Sequence, residues 1–224
     1  VTLTCLIVDY GGVLTTPISS TMQSWADSEG LSAESIGEVV RAWVRRSHEG
    51  HVGDDPIRGL ETGMLDPVAF EELLAADLRS THGVAVRAEG LLSRMFAGFA
   101  HEELVNAAVV HARAAGIRTG LLSNSWGNTY DRGMWDLQFD EVVISGEVGL
   151  RKPDPAIYEL TCERLGVSAP QCVFVDDLRP NVTAAVGLGM VGVHHTDPEQ
   201  TVAELEVLFA RPLRAGQETA ATHG

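Results

Sequence analysis

The sequence is short of positive charge, of cysteine and of long apolar runs, and each shortage narrows what the chain can do. Its 224 residues hold 16 Lys and Arg against 31 Asp and Glu, a formal net charge of −15. Such an acidic surface repels both a phosphodiester backbone and an anionic bilayer. Nucleic acid and membrane are therefore disfavoured as partners, while small cationic or metal-bridged ligands fit. Cys5, Cys162 and Cys172 are odd in number and lack ligand spacing, and two of them sit in apolar strand-like runs. They read as buried free thiols, not as a metal site. No apolar run approaches the ~18 residues of a membrane span, and the opening VTLTCLIVDYGG carries neither a basic leader nor a cleavage site. The expectation is a soluble, cytoplasmic protein.

What the sequence does contain is a series of short apolar runs: Leu3 to Val8, Ile117 to Ser123, Val142 to Ser145, Cys172 to Val175 and Met190 to Val193. Helical stretches lie between the later ones, Glu102 to Ala115 and Pro155 to Leu165, the latter stopped by Gly166. Apolar strands alternating with helices predict an α/β fold, a parallel sheet covered on both faces. Roughly a hundred residues separate the first two strands, far beyond the dozen or so a crossover needs. Their periodicity is helical: Ile36, Val39, Val40 and Trp43 share one face of Ser35 to Arg46, and Asp66 to Leu78 carries Val68, Phe70, Leu73 and Leu74. The reading is a Rossmann-like core over residues 1–15 and 91–210, a helical cap over 16–90 inserted after the first strand, and a frayed tail over 211–224. No internal repeat is present, and the oligomeric state is left open.

The stretch DYGGVLTT sets a lone carboxylate, Asp9, directly after an apolar strand. Taken alone, Asp9, Gly11 and Gly12 are ordinary turn residues. In an open α/β sheet, however, ligands bind at the carboxyl ends of the strands. Those ends read Asp9 with Gly11 and Gly12, Ser123 with Asn124, Gly146 onward to Lys152, and Asp176-Asp177 with Asn181. A nucleophilic carboxylate, a hydroxyl with an amide, a lysine and an acidic pair would converge on one crevice. Each is more often a turn or cap residue in isolation; the signal is their joint placement.

The segments LIVDYGGVLT, LLSNSW, GLRKPDPAIY and VFVDDLRPNVTAAVGLGM, in that order, resemble the haloacid dehalogenase (HAD) superfamily. The likeness is strongest to its cap-bearing phosphatase-like branch, which includes the N-terminal domain of soluble epoxide hydrolase. It covers about residues 3 to 195, with the cap matched only by position and helical character. It implies a Mg²⁺-dependent phosphatase of a small phosphorylated metabolite, in which Asp9 carries an aspartyl-phosphate that water hydrolyses. Mg²⁺ takes hard oxygen ligands and keeps several waters. By the resemblance Asp9, the backbone carbonyl of Gly11 and Asp177 would supply them, with Asp176 behind. Lys152 would balance charge and, with Ser123 and Asn124 near the start of the next helix, bind phosphoryl oxygens.

Gly11 departs from the family pattern, which has there a second Asp acting as general acid. A backbone carbonyl can keep the metal contact, but the proton donor is lost. General acid-base catalysis contributes about 10² to 10⁴ in rate, so the chain should be slow, use another acid, or act on esters whose leaving group needs no proton. His48, His51, Asp54, Asp55 and Tyr10 are replacements by position. Two other readings remain: a non-catalytic binder of a phosphorylated ligand or partner, motivated by Gly11, and a 2-haloacid dehalogenase. The dehalogenase would also use an Asp nucleophile but has no use for Mg²⁺, and Asp176-Asp177 would repel its nucleophile. Arg41, Arg45 and Arg46 read as a solvated helix face, His48 and His51 as exposed loop residues, His194 and His195 as strand-end and loop residues, and Asn181 as ordering the loop after Asp177.

Overall fold

Every side chain of Cys5–Val8 is buried, because this strand, β1, runs through the middle of a parallel sheet with helices on both faces. The computed structural model describes residues 2–48, 55–127, 130 and 132–214. After β1 come five helices, α1 (Ile18–Ser28), α2 (Ala33–His48), α3 (Pro56–Glu61), α4 (Pro67–His82) and α5 (Leu91–Met95). The chain continues through α6 (Glu103–Ala114), β2 (Arg118–Ser123), α7 (Trp135–Gln138), β3 (Glu141–Ile144), α8 (Ser145–Val148) and α9 (Pro155–Leu165). It closes with β4 (Cys172–Asp176), α10 (Arg179–Gly187), β5 (Val191–His194) and α11 (Pro198–Phe209). Helix α9 has the bounds read from sequence, and Gly166 ends it in the left-handed conformation at φ 66°.

The strands lie in the order β3-β2-β1-β4-β5, all parallel. Strand order reverses between β1 and β4, which opens a crevice at their carboxyl ends. Side-chain alternation divides the core. Leu6, Val8, Val173 and Val175 face α6 and α11 on one side, and Cys5, Ile7, Cys172 and Phe174 face α9 and α10 on the other. All three cysteines are free and buried, with Cys162 and Cys172 sulfurs 3.9 Å apart.

The insertion has its own apolar core. Trp25, Ile36, Val39, Trp43, Phe70, Leu74 and Leu78 pack together, and Trp43 and Phe70 meet edge to face at 5.6 Å. Leu91, Leu92 and Met95 belong to the same cluster, so this packing runs past residue 90. Gly90 begins an element, as the left-handed N-cap of α5. The two chain crossings into the insertion pair with each other: Thr16 N–H donates to Ala100 O at 2.8 Å and Glu102 N–H to Leu14 O at 2.9 Å. At the other end the chain stays packed beyond Arg211. Leu213 is fully buried and Arg214 pairs with Glu199 and Glu206, so the frayed tail expected from 211 does not hold for residues 211–214.

Candidate active site

β1 and β4 deliver Asp9 and Asp176-Asp177 to the two sides of the crevice where strand order reverses. Lys152, the only lysine of the chain, reaches between them from the segment after α8. Its Nζ lies 2.7 Å from Asp9 Oδ1 and 2.7 Å from Asp176 Oδ2, and the side chain is 1% exposed. A compact ammonium suits this slot better than a guanidinium fork, which would need a planar acceptor pair. Asn124 sets its height: the Lys152 N–H donates to Asn124 Oδ1 at 2.8 Å, and Asn124 Nδ2 donates back to the Lys152 carbonyl at 3.0 Å.

The two adjacent aspartates differ sharply. Asp176 is saturated, accepting from Lys152, from the Leu178 N–H at 2.8 Å, and from Asn181 Nδ2 at 3.1 and 3.0 Å. Asp177 Oδ1 is buried with no hydrogen-bond partner. Its other oxygen rests against Gly12, where φ is +79° and a Cβ would come within 2.5 Å of Oδ2. Oxygens of Asp9, Asp176 and Asp177 lie within 4.8 Å of one another. Three carboxylates thus face one ammonium, leaving two negative charges in a buried place. The consequences are visible in their acidities. Burial pushes the Asp9 carboxyl up to about 7, with Lys152 opposing and Asp176 and Asp177 adding to the rise. Burial and then Asp176 raise Asp177. For Lys152, burial works against the charge but Asp176 and Asp9 outweigh it and raise its pKa. An orphaned carboxylate oxygen in a pocket of excess negative charge fits a hard divalent cation.

A family model, described as haloacid dehalogenase-like hydrolase, matches residues 3–189. The chain belongs to the haloacid dehalogenase-like hydrolases. Among relatives, it is 26% identical over 219 residues to bifunctional epoxide hydrolase 2 of Sus scrofa, covering 91% of this chain and 38% of that protein. It is 46% identical over 74 residues to sesquiterpene phosphatase astK of Aspergillus oryzae, covering 33% of this chain and 37% of that one. The chain therefore spans less than two fifths of the length of either relative. A HAD family enzyme from Bacteroides thetaiotaomicron, solved with magnesium and inorganic phosphate, shares the fold with a TM-score of 0.57 at 17% identity, over 87% of this chain and 94% of that one.

In this hydrolase the residues singled out from sequence fall into two groups. Asp9, Lys152, Asp176 and Asp177 come together, with Asn124 held to the Lys152 backbone and Ser123 in the wall of the adjoining cavity. Gly11 borders the same cavity, and its φ is not in the left-handed region that Gly12 occupies. One local expectation changes. Residues 124–127 are not helical and α7 starts only at Trp135, so no helix N-terminus stands at Asn124. Asn124 spends its amide on Lys152, while Ser123 Oγ pairs with Tyr130 OH at 3.0 Å.

Of the replacement acids, Asp55 is occupied as the N-cap of α3, accepting from the Ile57 and Arg58 N–H groups. His51 and Asp54 lie outside the described residues, and so does the His48 side chain. Arg41 pairs with Glu34 on the exposed face of α2. His194 Nε2 sits 2.9 Å from the Asp177 carbonyl, and His195 Nδ1 is 2.9 Å from Thr201 Oγ1. Sequence reasoning missed Glu61 and gave no role to Trp126 or Tyr130. Beside Asp177 opens a cavity of about 590 Å³, walled by Ile18, Met22, Phe96, Phe99, Trp126 and Leu178. No lysine or arginine is among its described lining residues.

Proposed function

We propose that this hydrolase is a Mg²⁺-dependent phosphatase that removes phosphate from a small metabolite with an apolar alcohol portion, using Asp9 as nucleophile. The observation that carries the reading is Asp177 Oδ1, buried and unpartnered beside the ion-paired Asp9–Lys152–Asp176 cluster. Asp9, Asp177 and the Gly11 carbonyl would hold the ion, which when bound supplies charge for the phosphoryl oxygens. The Asp9 carboxylate forms the new bond to phosphorus as the ester bond breaks, and water later returns it as carboxylate. Lys152 fixes Asp9 and balances its charge. Asn124 holds Lys152 at working height, Asp176 and Asn181 steady its far side, and Ser123 offers a hydroxyl to a phosphoryl oxygen.

The substrate class follows from the cavity. Aromatic and aliphatic walls without a lysine or arginine favour an apolar alcohol over a sugar or a second phosphate. The name of the sesquiterpene phosphatase relative agrees with this. Gly11 keeps one alternative open, a binder that holds phosphate without turnover. Carbon–halogen hydrolysis is disfavoured, since an unneutralised Asp177 would oppose the ionised Asp9 it needs. The test is a series of alkyl monophosphates assayed with Mg²⁺ and with EDTA. Turnover should need Mg²⁺, and kcat/KM should climb with chain length, each buried CH₂ contributing about 0.8 kcal/mol. Preference for sugar phosphates would refute the substrate class. Tight phosphate binding without turnover would favour the binder.

A further inference from the structure

The cavity contains an acid that no motif announces. Glu61 ends α3, in the cap, yet it is fixed to the core. Its carbonyl accepts from Ser145 Oγ, which itself accepts from the Ser125 N–H at 2.7 Å. Two residues on, Gly63 lies against the core with φ +72°, so close that a Cβ would stand 2.5 Å from the Gly146 carbonyl. The Glu61 side chain is buried and lines the same cavity as Gly11, Ser123, Asn124 and Asp177. Its Oε1 accepts from Trp126 Nε1 at 3.2 Å. Its Oε2 lies 2.9 Å from Arg151 Nη1, but the two are misaligned and Oε2 keeps no hydrogen bond.

The cavity lining points the same way. Glu61 and Asp177 are the carboxyl groups among the described lining residues, and Asp177 has the features of a metal ligand. The Tyr130 phenol is pushed up to about 12 by burial, which makes it a poor donor near neutrality. Burial likewise raises the Glu61 pKa, against the opposing effects of Arg151, the Trp126 N–H and Lys152, with Asp55 adding to the rise. That direction suits a group that must hold a proton before reaction.

We propose that Glu61, reaching in from the cap, is the proton donor and acceptor that replaces the side chain missing at Gly11. The proposal rests on the phosphatase reading above. In the first step the Asp9 oxygen–phosphorus bond forms, the ester P–O bond breaks, and the Glu61 proton passes to the departing oxygen, giving a neutral alcohol. The resulting carboxylate stands beside the Arg151 cation. In the second step Glu61 takes a proton from the water whose oxygen attacks phosphorus. The Asp9–phosphorus bond breaks, inorganic phosphate leaves, and both carboxyl groups return to their starting states.

The experiment compares Glu61→Gln with wild type on two monoesters, a long-chain alkyl phosphate and 4-nitrophenyl phosphate. The amide keeps an acceptor for Trp126 and cannot donate a carboxyl proton. Expected is a fall of roughly 10² to 10⁴ in kcat for the alkyl ester, with the nitrophenyl ester changed only a few-fold, since its leaving group needs no proton. Adding Gly11→Asp in the Glu61→Gln background should restore much of the alkyl turnover. Equal loss on both esters, or loss on neither, overturns the proposal. If Glu61→Gln does not fold, Arg151→Gln serves instead. Removing that cation should move the Glu61 limb of the alkyl pH–rate profile to higher pH, and an unmoved limb overturns the assignment. A wild type inert on both esters would instead remove the phosphatase reading, so the two failures are distinguishable.

Discussion

Gly11 and Gly12 are neighbours in sequence, but the structure predicts opposite results when each is replaced by alanine. At Gly12 the backbone has φ +79°, and a Cβ would meet Asp177 Oδ2 at 2.5 Å and its Cγ at 3.0 Å. A residue with a Cβ in this left-handed region costs about 1–2 kcal/mol. The contact also forces the carboxylate, with its buried and unpartnered Oδ1, out of its place. At Gly11 the backbone is not left-handed, and a Cβ would meet only the mobile end of Ile18, 3.0 Å from Cδ1. For a chain of this size 1 kcal/mol moves Tm by about 2–4 °C, so Gly12→Ala should lose roughly 2–8 °C. It should also lose most of the Tm gain that Mg²⁺ gives wild type, while Gly11→Ala keeps both within about 2 °C. Thermal unfolding of three proteins, each with EDTA and with Mg²⁺, is sufficient. A Gly12→Ala protein with the wild-type Mg²⁺ response would refute the placement of Asp177 as a metal ligand held against Gly12.

Three other outcomes follow from the same cluster. Without metal, the folded pKa of Asp9, about 7, lies above its ordinary 3.8, so its stabilising contribution is full below 3.8 and is lost as pH rises through 7. The Mg²⁺-induced stabilisation should therefore grow between about pH 5 and 7 and then level off, by about 1.4 kcal/mol per pH unit for each proton the ion displaces. A gain independent of pH would contradict this; His195, whose pKa burial lowers, is common to both arms and cancels. Lys152→Met leaves Asp9 and Asp176 buried without their cation and should cost roughly 3–5 kcal/mol in denaturant unfolding. Asn124→Ala strips both partners from the Lys152 backbone, so kcat should fall more than KM rises, with a stability loss on the order of 2 kcal/mol.

Much of this site was legible because its parts lie at strand ends, where apolar runs stop and the sheet rule says ligands bind. Asp9, Lys152 and the Asp176-Asp177 pair each stand in an ordinary local pattern, and it was their joint placement that marked them. The difference between the two aspartates did not follow from residue type. It depends on Asn181 and the Leu178 N–H serving Asp176 while leaving Asp177 Oδ1 unserved. That Asn124 holds the Lys152 backbone was not legible, because its partners there are main-chain atoms 28 residues away, which no side-chain pattern encodes. The two glycines differ in φ and in the side chain that a Cβ would meet, neither of which residue type reveals. Glu61 was invisible for a related reason: it sits in RGLETGM, without a motif, and reaches the cavity only through the docking of the cap onto Ser145, Gly146 and Trp126. The end of the insertion has no mark in the sequence: its apolar packing continues through Leu91, Leu92 and Met95 of α5.

The central claim is that Asp9 takes the phosphoryl group, and rapid acid quenching during turnover of an alkyl monophosphate with Mg²⁺ tests it most directly. Peptide mass spectrometry of the quenched protein should find a phosphoryl group on the peptide containing Asp9, labile to base. It should be absent with EDTA and in Asp9→Asn, which keeps the fold but not the nucleophile. Mg²⁺-dependent turnover that leaves Asp9 unmodified, or that persists in Asp9→Asn, would contradict the account.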